Sequence, residues 1–240
     1  MQTNIDITQA FLDAPDGILT IHQLASKLKL PYGTAYNRVH LLNKQNILQI
    51  LPQGKAKLCA LNSENPMTAN LLALGGAQIT SNYLNSLEDK GKIFKEIVYK
   101  IKTKAKDKVL TSILLSPSAL LEACKTPQEP TEADKELENN LPEMEDFQKT
   151  IDFFFIKSSE KFDESIIENE IASILPKDQN ISITSMVVDT EALLGMLSIE
   201  EADAGLAAYS MLHDGVILTG FEYFYSIILE SFTKKLSSLQ

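Results

Sequence analysis

The sequence of 240 residues predicts a mixed α+β / α/β fold in three parts. Within residues 1–65, three segments with apolar residues at helical spacing precede two short apolar segments joined by a glycine-containing turn. Residues 66–108 have helical spacing throughout and become rich in lysine towards their end. From residue 109 to residue 240, strand-like apolar runs alternate with helical segments, which is typical of an α/β unit. We therefore expect a small N-terminal domain, a helical connector and a larger C-terminal domain.

Composition places the chain among ordinary globular proteins, because 44% of its residues are hydrophobic and 22% are charged. No apolar run reaches the roughly 18 residues that a membrane span needs, and the N-terminus has no signal-peptide pattern. Cys59 and Cys124 form neither a disulfide framework nor a metal spacing. We expect a cytoplasmic protein with no membrane partner and no cofactor.

The net charge of −10 is unevenly distributed along the chain. Residues 1–65 contain six basic and four acidic residues, a net charge of +2, which leaves −12 for the remainder. Contact with phosphate depends on the local charge of the docking face, so an acidic remainder does not exclude nucleic acid. The only arginine of the chain, Arg38, lies within the third predicted helix.

The first three helices have clear boundary signals. The first helix ends in the turn residues 13–17, and Thr20 with Gln23 forms a capping box that predicts a second helix over 21–28. Pro31 interrupts this helix and suits the first turn of a third one, over 32–44. The helical spacing divides that third helix into an inner face (Ala35, Val39, Leu42) and an outer face (Tyr32, Thr34, Asn37, Arg38, Leu41).

A β-hairpin follows, with strands predicted over 47–51 and 56–61 and a tight turn over 52–55. The order helix, turn, helix and hairpin over residues 5–62 resembles the winged helix-turn-helix of bacterial and archaeal transcription regulators. This resemblance implies that the third helix enters the major groove and that the hairpin, the wing, contacts the DNA backbone. The DNA-binding residues that it implies are Tyr32, Gly33, Thr34, Tyr36, Asn37, Arg38, Gln53, Gly54, Lys55 and Lys57.

The chemistry of these residue types assigns their roles within the resemblance. Asn37 would pair with adenine, Arg38 with guanine or a phosphate, and the wing lysines with backbone phosphates. Two alternatives remain open. First, the domain contains few basic residues, so it would alternatively serve protein contacts alone. Second, Tyr36 either contacts DNA or packs at the rim of the small core, and we favour packing.

The connector is predicted to be helical over residues 66–87, with Gly75 and Gly76 either weakening the helix or letting another backbone approach. Eight lysines follow between residues 90 and 108, interleaved with apolar residues at helical spacing. Such a run indicates either a solvated helix face, which we favour, or a second surface for phosphate.

The C-terminal domain alternates strands with helices. Strands are predicted over 109–115, 151–156 and 181–188, and helices over 119–124, 164–175, 190–197, 201–213 and 221–236. Three stretches, VLTSILLSPSALLEA, KTIDFFFIKS and HDGVILTGFEYFYSII, make residues 92–236 resemble the small nucleotidyltransferase domains of prokaryotes. In that family the strand that matches the first stretch ends in a Gly-Ser pair, and the strand that matches the second stretch carries an Asp-x-Asp pair.

Several groups that nucleotidyl transfer requires are missing from these stretches. The turn that should be Gly-Ser is Ser116-Pro117, and proline removes a backbone donor to phosphate. Thr150 occupies the first carboxylate position, so only Asp152 is left of the pair, and residues 181–188 contain no acidic residue. One carboxylate holds Mg²⁺ poorly. We expect no transferase activity, no metal and no catalytic residue, with Asp152 structural or vestigial.

An acidic insertion over about residues 125–148 separates the first two strands, with a short helix predicted over 132–139. Its composition favours a solvated, disordered loop. It would also suit charge mimicry of nucleic acid, cover of the former active site, or binding of a basic protein partner. His22, His40 and His213 lack ligand spacing, and the first two are predicted to be exposed.

These observations together predict a sequence-specific, DNA-binding transcription regulator that acts as a homodimer on double-stranded DNA. Its degenerate nucleotidyltransferase-like domain would serve dimerisation, ligand sensing or partner contact. The alternatives are an antitoxin-like or protein-binding module and, less favoured, a divergent but active nucleotidyltransferase.

Overall fold

The computed structural model describes residues 2–14, 16–53, 56–87, 91–123, 149–158, 161–175, 181–198, 208–209 and 211–238. The fold is mixed α and β, as predicted, with two separate sheets. The N-terminal elements are α1 (Gln2–Ala10), β1 (Ile18–Thr20), α2 (Ile21–Lys27), α3 (Tyr32–Lys44), β2 (Leu48–Gln53) and β3 (Ala56–Leu61). The connector forms α4 (Pro66–Ser86) and α5 (Gly91–Ala105). The remaining elements are β4 (Val109–Leu114), α6 (Pro117–Ala123), β5 (Lys149–Lys157), α7 (Glu164–Ala172), β6 (Ile181–Val188), α8 (Thr190–Leu197), β7 (Val216–Thr219) and α9 (Phe221–Ser238).

The first sheet is antiparallel and has the strand order β1-β3-β2. β2 and β3 form the predicted hairpin, with Leu48 opposite Leu61 and Gln53 opposite Ala56. β1 was not predicted, because three residues are too few to show an alternation of polar and apolar side chains. It pairs with β3 from Ile18 opposite Ala60 onwards and leads directly into α2. The added strand ties the start of α2 to the hairpin.

The second sheet has the order β6-β5-β4-β7, with β5 and β6 parallel and the other neighbours antiparallel. Adjacent residues of β5 point to opposite faces, so Phe154 joins the core beneath α4, α8 and α9, whereas Phe153 and Phe155 join the core beneath α5, α6 and α7. The sheet is therefore covered by helices on both faces. This explains why β5 is almost continuously apolar rather than alternating.

The core of the N-terminal elements continues into the C-terminal half. One cluster of buried side chains contains Ile7 and Phe11 near the N-terminus together with Phe232 of α9. The Tyr209 hydroxyl donates to the Leu12 carbonyl oxygen, and the Thr233 and Ser63 hydroxyl oxygens lie 2.6 Å apart. Residues on both sides of the predicted boundary at residue 65 therefore belong to one hydrophobic core.

The glycines of α4 explain how closely these helices pack. A Cβ added at Gly75 would lie 2.1 Å from Nε2 of Gln9, and one added at Gly76 would lie 2.5 Å from the hydroxyl oxygen of Tyr225. The sequence suggested a weakened helix or the approach of another backbone. The structure instead shows an unbroken helix approached by the side chains of α1 and α9.

Most predicted helices and strands are present, with small changes at their ends. The helix predicted over 21–28 ends at Lys27, the one over 164–175 ends at Ala172, and the one over 119–124 begins at Pro117. The strand predicted over 47–51 extends to Gln53. Most of the helix predicted over 201–213, the acidic insertion 125–148 with its helix 132–139, and Cys124 lie outside the described residues. Within the described part of the chain, no helix combines the length and apolar character that crossing a membrane requires.

Candidate nucleic-acid interface

The turn between α2 and α3 is set by local hydrogen bonds. The Thr20 hydroxyl accepts from the Gln23 backbone N–H at 3.1 Å, and the Gln23 side chain accepts from the Thr20 backbone N–H at 2.8 Å, which confirms the predicted capping box. At the other end of α2, the Leu30 N–H donates to the Ala25 carbonyl oxygen at 2.9 Å. Lys29 adopts a left-handed conformation with φ of 52°, where glycine is more common. Residues 28–31 therefore connect α2 to α3, whose N-cap is Pro31.

α3 ends in the same way as α2, with a left-handed residue followed by an N–H that donates to a carbonyl oxygen five residues earlier. Asn46 is left-handed with φ of 57°, and the Ile47 N–H donates to the Leu42 carbonyl oxygen at 2.9 Å. Asparagine tolerates this conformation better than most residues. The Asn46 carbonyl oxygen accepts from the side chains of Asn62 and Asn65, at 2.8 and 3.1 Å. These bonds hold the α3–β2 junction against the residues that follow β3.

The outer face of α3 is solvent-exposed as the sequence predicts. Ala35, Val39 and Leu42 are fully buried. The opposite face presents Tyr32, Gly33, Thr34, Asn37, Arg38 and Leu41, all exposed. Tyr32 has 52% of its surface accessible, so the described part of the C-terminal half leaves this end of the helix open. The side chains of Asn37 and Arg38 have no hydrogen-bond or ion-pair partner among the described residues.

Tyr36 connects α3 to the hairpin. Its ring is half-buried and packs against the core, in agreement with the packing role that the sequence favoured. Nζ of Lys57, on β3, donates to the Tyr36 hydroxyl oxygen at 3.2 Å and lies 4.9 Å from the ring centroid. This distance allows a cation–π interaction. Lys57 is thus held on the side of the hairpin that adjoins α3.

A row of rings along α2 and α3 was missed by the sequence reasoning. The ring of His22 lies 6.3 Å from that of Tyr32, Tyr32 lies 6.2 Å from Tyr36, and Tyr36 lies 4.3 Å from His40. The spacing Tyr32, Tyr36 and His40, four residues apart, is the signal that reveals this row. His22 is exposed as predicted, but His40 is half-buried, and its Nε2 has no hydrogen-bond partner among the described atoms.

The tip of the hairpin lies beyond what the structure describes. Gln53 ends β2, without a described side chain, and Gly54 and Lys55 lie outside the described residues. Further along β3, Cys59 is completely buried. Burial raises the pKa of its thiol to about 11, an effect that the nearby Lys57 ammonium partly opposes. Cys59 is therefore a packing residue of the hairpin and not a reactive thiolate.

The charge around α3 is stronger than the net value for residues 1–65 suggests. Between Gly17 and Ser63 the chain contains six basic residues and no aspartate or glutamate. Asp13, which precedes this stretch, pairs with Lys27 at 2.9 Å and so neutralises one of the six positive charges. Arg38, Lys44 and Lys57 are exposed. The elements from α2 to β3 therefore form a positively charged unit within an acidic protein.

The polar residues around Asp152, on the neighbouring strands β5 and β6, form a second group. The Ser116 hydroxyl accepts from the Asp152 backbone N–H at 2.7 Å, and the Thr184 hydroxyl donates to the Asp152 carboxylate. Thr150 lies opposite Ser182, with their hydroxyl oxygens 3.3 Å apart. Asp152 therefore has hydroxyl groups as its neighbours. Among the described residues, no group of three or more His, Cys, Asp or Glu side chains could hold a metal ion.

The lysines of α5 are partly neutralised. Glu170 of α7 pairs with Lys100 at 2.6 Å and with Lys104 at 2.8 Å. The hydrogen bonds from both lysines lower the pKa of Glu170 to about 2, and the bond to Glu170 raises the pKa of Lys100. These pairs stabilise the contact between α5 and α7, so at least two of the eight lysines serve packing and not phosphate binding.

Comparison with protein-family models, with curated proteins and with solved structures finds no match to this chain. The two resemblances therefore remain predictions that depend on the residues themselves.

Proposed function

We propose that the chain is a sequence-specific DNA-binding transcription regulator. Residues 5–62 would act as a winged helix-turn-helix, with α3 in the major groove and the β2–β3 hairpin as the wing against the backbone. The proposal includes a cytoplasmic location and two copies of the chain on DNA, because one small reading unit contacts too few base pairs for high specificity.

One observation carries the proposal. α3 exposes Asn37 and Arg38 without partners among the described residues, within a stretch of sequence that contains no acidic residue. An amide and a guanidinium are the side chains that make bidentate contacts with adenine and guanine in the major groove. Lys57, which contacts Tyr36 of α3, would bind a backbone phosphate in the proposed complex.

For the C-terminal half we propose a nucleotidyltransferase-like domain without catalysis, which serves dimerisation, ligand sensing or partner contact. Thr150 stands where the resemblance calls for the first carboxylate, and β6 offers the hydroxyl groups of Ser182 and Thr184 where it calls for another. A single carboxylate that already accepts a hydrogen bond is a poor ligand for Mg²⁺ with bound triphosphate. Incubation with labelled nucleotides and Mg²⁺ or Mn²⁺ tests this, and any label transfer that Asp152→Ala abolishes would contradict it.

DNA binding is tested by selecting genomic fragments with the purified protein and measuring band shifts on those that are enriched. We expect the fragment upstream of its own coding region among them. The double variant Asn37→Ala with Arg38→Ala should weaken the specific complex by at least about 30-fold, since each bidentate contact contributes about 1–3 kcal/mol.

The matched control removes one amide and one cation from another exposed surface, with Asn85→Ala on α4 and Lys234→Ala on α9. This control should bind like the unmodified protein. Equal binding by both double variants would reject α3 as the recognition helix, and a failure to enrich any fragment would reject the regulator.

A further inference from the structure

The outer edge of β6 is the least protected sheet edge in the described structure. β6 lies at the end of the order β6-β5-β4-β7, so its eight residues pair with β5 on one side and with no described strand on the other. Its sequence, ISITSMVV, contains no charge, no proline and no glycine. An edge strand of this kind exposes a row of backbone donors and acceptors that can pair with another strand.

The other sheet edges of the described structure have features that limit such pairing. β1 contains three residues and β7 contains four, and short edge strands offer few hydrogen bonds. β2, the remaining edge, contains Pro52, which has no N–H to donate. β6 is therefore the exception, because it is long and rich in β-branched residues.

The side chains of β6 are also incompletely buried. Every residue of the strand is half-buried or exposed, in contrast to the neighbouring β5, where Ile151 and Phe153–Ile156 are fully buried. On one face, Ser185 donates to Glu168 of α7 at 2.5 Å. On the other face, Met186 keeps 46% of its surface accessible. A further strand beside β6 would cover side chains on both faces of the sheet.

We propose that the occupant of this edge is β6 of a second copy, paired antiparallel about a two-fold axis. The two four-stranded sheets would then form one continuous sheet across the dimer. An isologous contact places the same surface on both sides, so it requires a strand that does not repel itself. An uncharged strand meets this requirement, since like charges directly opposite each other are destabilising.

This inference takes from the proposed function only the expectation of two copies, and its experiment is performed without DNA. The mass of the full-length protein is measured by light scattering and sedimentation over a dilution series. We expect a dimer for the unmodified protein. Met186→Lys should raise the dissociation constant by about tenfold or more, because a lysine on an edge strand opposes pairing.

The control is Ile79→Lys on α4, which introduces the same charge at a similarly exposed apolar residue (54% accessible) on a helix that packs against α1, α9 and β7. It should dimerise normally. A monomeric unmodified protein, or a folded Met186→Lys variant as dimeric as the control, would overturn the proposal. Failure of DNA binding would leave this result unaffected.

Hydrogen exchange of the unmodified protein provides a second readout that does not depend on any variant folding. Alternate backbone N–H groups of β6 point away from β5. Their exchange should slow as the protein concentration rises. Exchange of these amides that is fast and independent of concentration would equally overturn β6 pairing.

Discussion

The α3–hairpin region and the polar group around Asp152 both present polar side chains at a surface, but they differ in how those side chains are satisfied. On α3, Asn37 and Arg38 have no partner among the described residues. On β5 and β6, Asp152 accepts from Thr184, and Thr150 lies within hydrogen-bond distance of Ser182. Hydrogen bonds already made within the chain must be broken before a ligand can use the same groups. The comparison therefore favours α3 over the group around Asp152 as a ligand-binding surface, and a structural role for Asp152.

The two regions also differ in charge. The stretch from Gly17 to Ser63 has no acidic residue, although the whole chain has a net charge of −10. The C-terminal half uses carboxylates in specific contacts, as with Glu170 between α5 and α7. The average charge of this protein thus says little about either surface, because opposite charges are segregated along the chain.

The largest predicted effect tests whether the N-terminal elements, including α3 and the hairpin, are stabilised independently of α9 in the C-terminal half. Phe232 of α9 is buried in the core cluster that includes Phe11, and its ring lies against Gly17. Phe232→Ala should destabilise the protein by about 3–5 kcal/mol, because it leaves a cavity. Urea unfolding followed by circular dichroism and tyrosine fluorescence should show a single transition at lower urea.

Its control is Ile166→Ala, at a residue that is 50% exposed, which should change stability by less than about 0.5 kcal/mol. Two separate transitions in Phe232→Ala, with the N-terminal region keeping its original midpoint, would show that the shared core contributes no coupling between the regions.

A pair of glycine variants gives the next largest effect. Gly76→Ala places a Cβ 2.5 Å from the hydroxyl oxygen of Tyr225, so it should destabilise the α4–α9 contact by about 1–3 kcal/mol. Gly195→Ala in α8 meets nothing within 4 Å and should stabilise its helix by about 0.5–1 kcal/mol. Thermal unfolding measures both. Similar effects of the two variants would mean that close packing is not the reason for Gly76.

The smallest predicted effect is a pH-dependent loss of stability at the contact between α5 and α7, in the C-terminal half. The pKa of Glu170 is lowered to about 2, so its stabilising contribution is present above the ordinary value of 4.5 and is lost as pH falls towards 2. Glu170→Gln should therefore be less stable than the unmodified protein at neutral pH, and the difference should vanish in acid. Unfolding curves between neutral pH and pH 2 measure this.

Glu122→Gln on α6 is the matched control, since Glu122 is exposed and has no ion pair among the described residues. A pH-independent gap between Glu170→Gln and the unmodified protein would assign the effect of Glu170 to packing and not to its charge.

The elements with strong local signals were predicted well. α3 spans the predicted residues, because Pro31 starts it and the apolar spacing of Ala35, Val39 and Leu42 defines its inner face. β6 and α8 also have the predicted bounds, since Asp189 caps α8 directly after the β-branched strand. The outward face of α3 could be predicted for the same reason: helical spacing alone decides which side chains oppose the buried ones.

Other features could not be predicted, because they depend on contacts between residues far apart in the chain. The Tyr36–Lys57 contact joins residues from a helix and a strand, and the burial of His40 depends on what packs beside it. The exposed edge of β6 depends on the strand order, which hydrophobic spacing does not contain. Gly54 and Lys55 at the wing tip stay predictions.

Local chemistry thus settled which segments are helices or strands, where α2 and α3 begin, and which side of α3 meets solvent. These outcomes depend on residues a few positions apart, whose spacing is written directly in the chain. Packing between distant segments settled the core shared by α1, α4 and α9, the position of β6 at a sheet edge and the hydroxyl groups around Asp152. Such contacts form only when the whole chain is folded, because their energy comes from burial and pairing across long sequence separations.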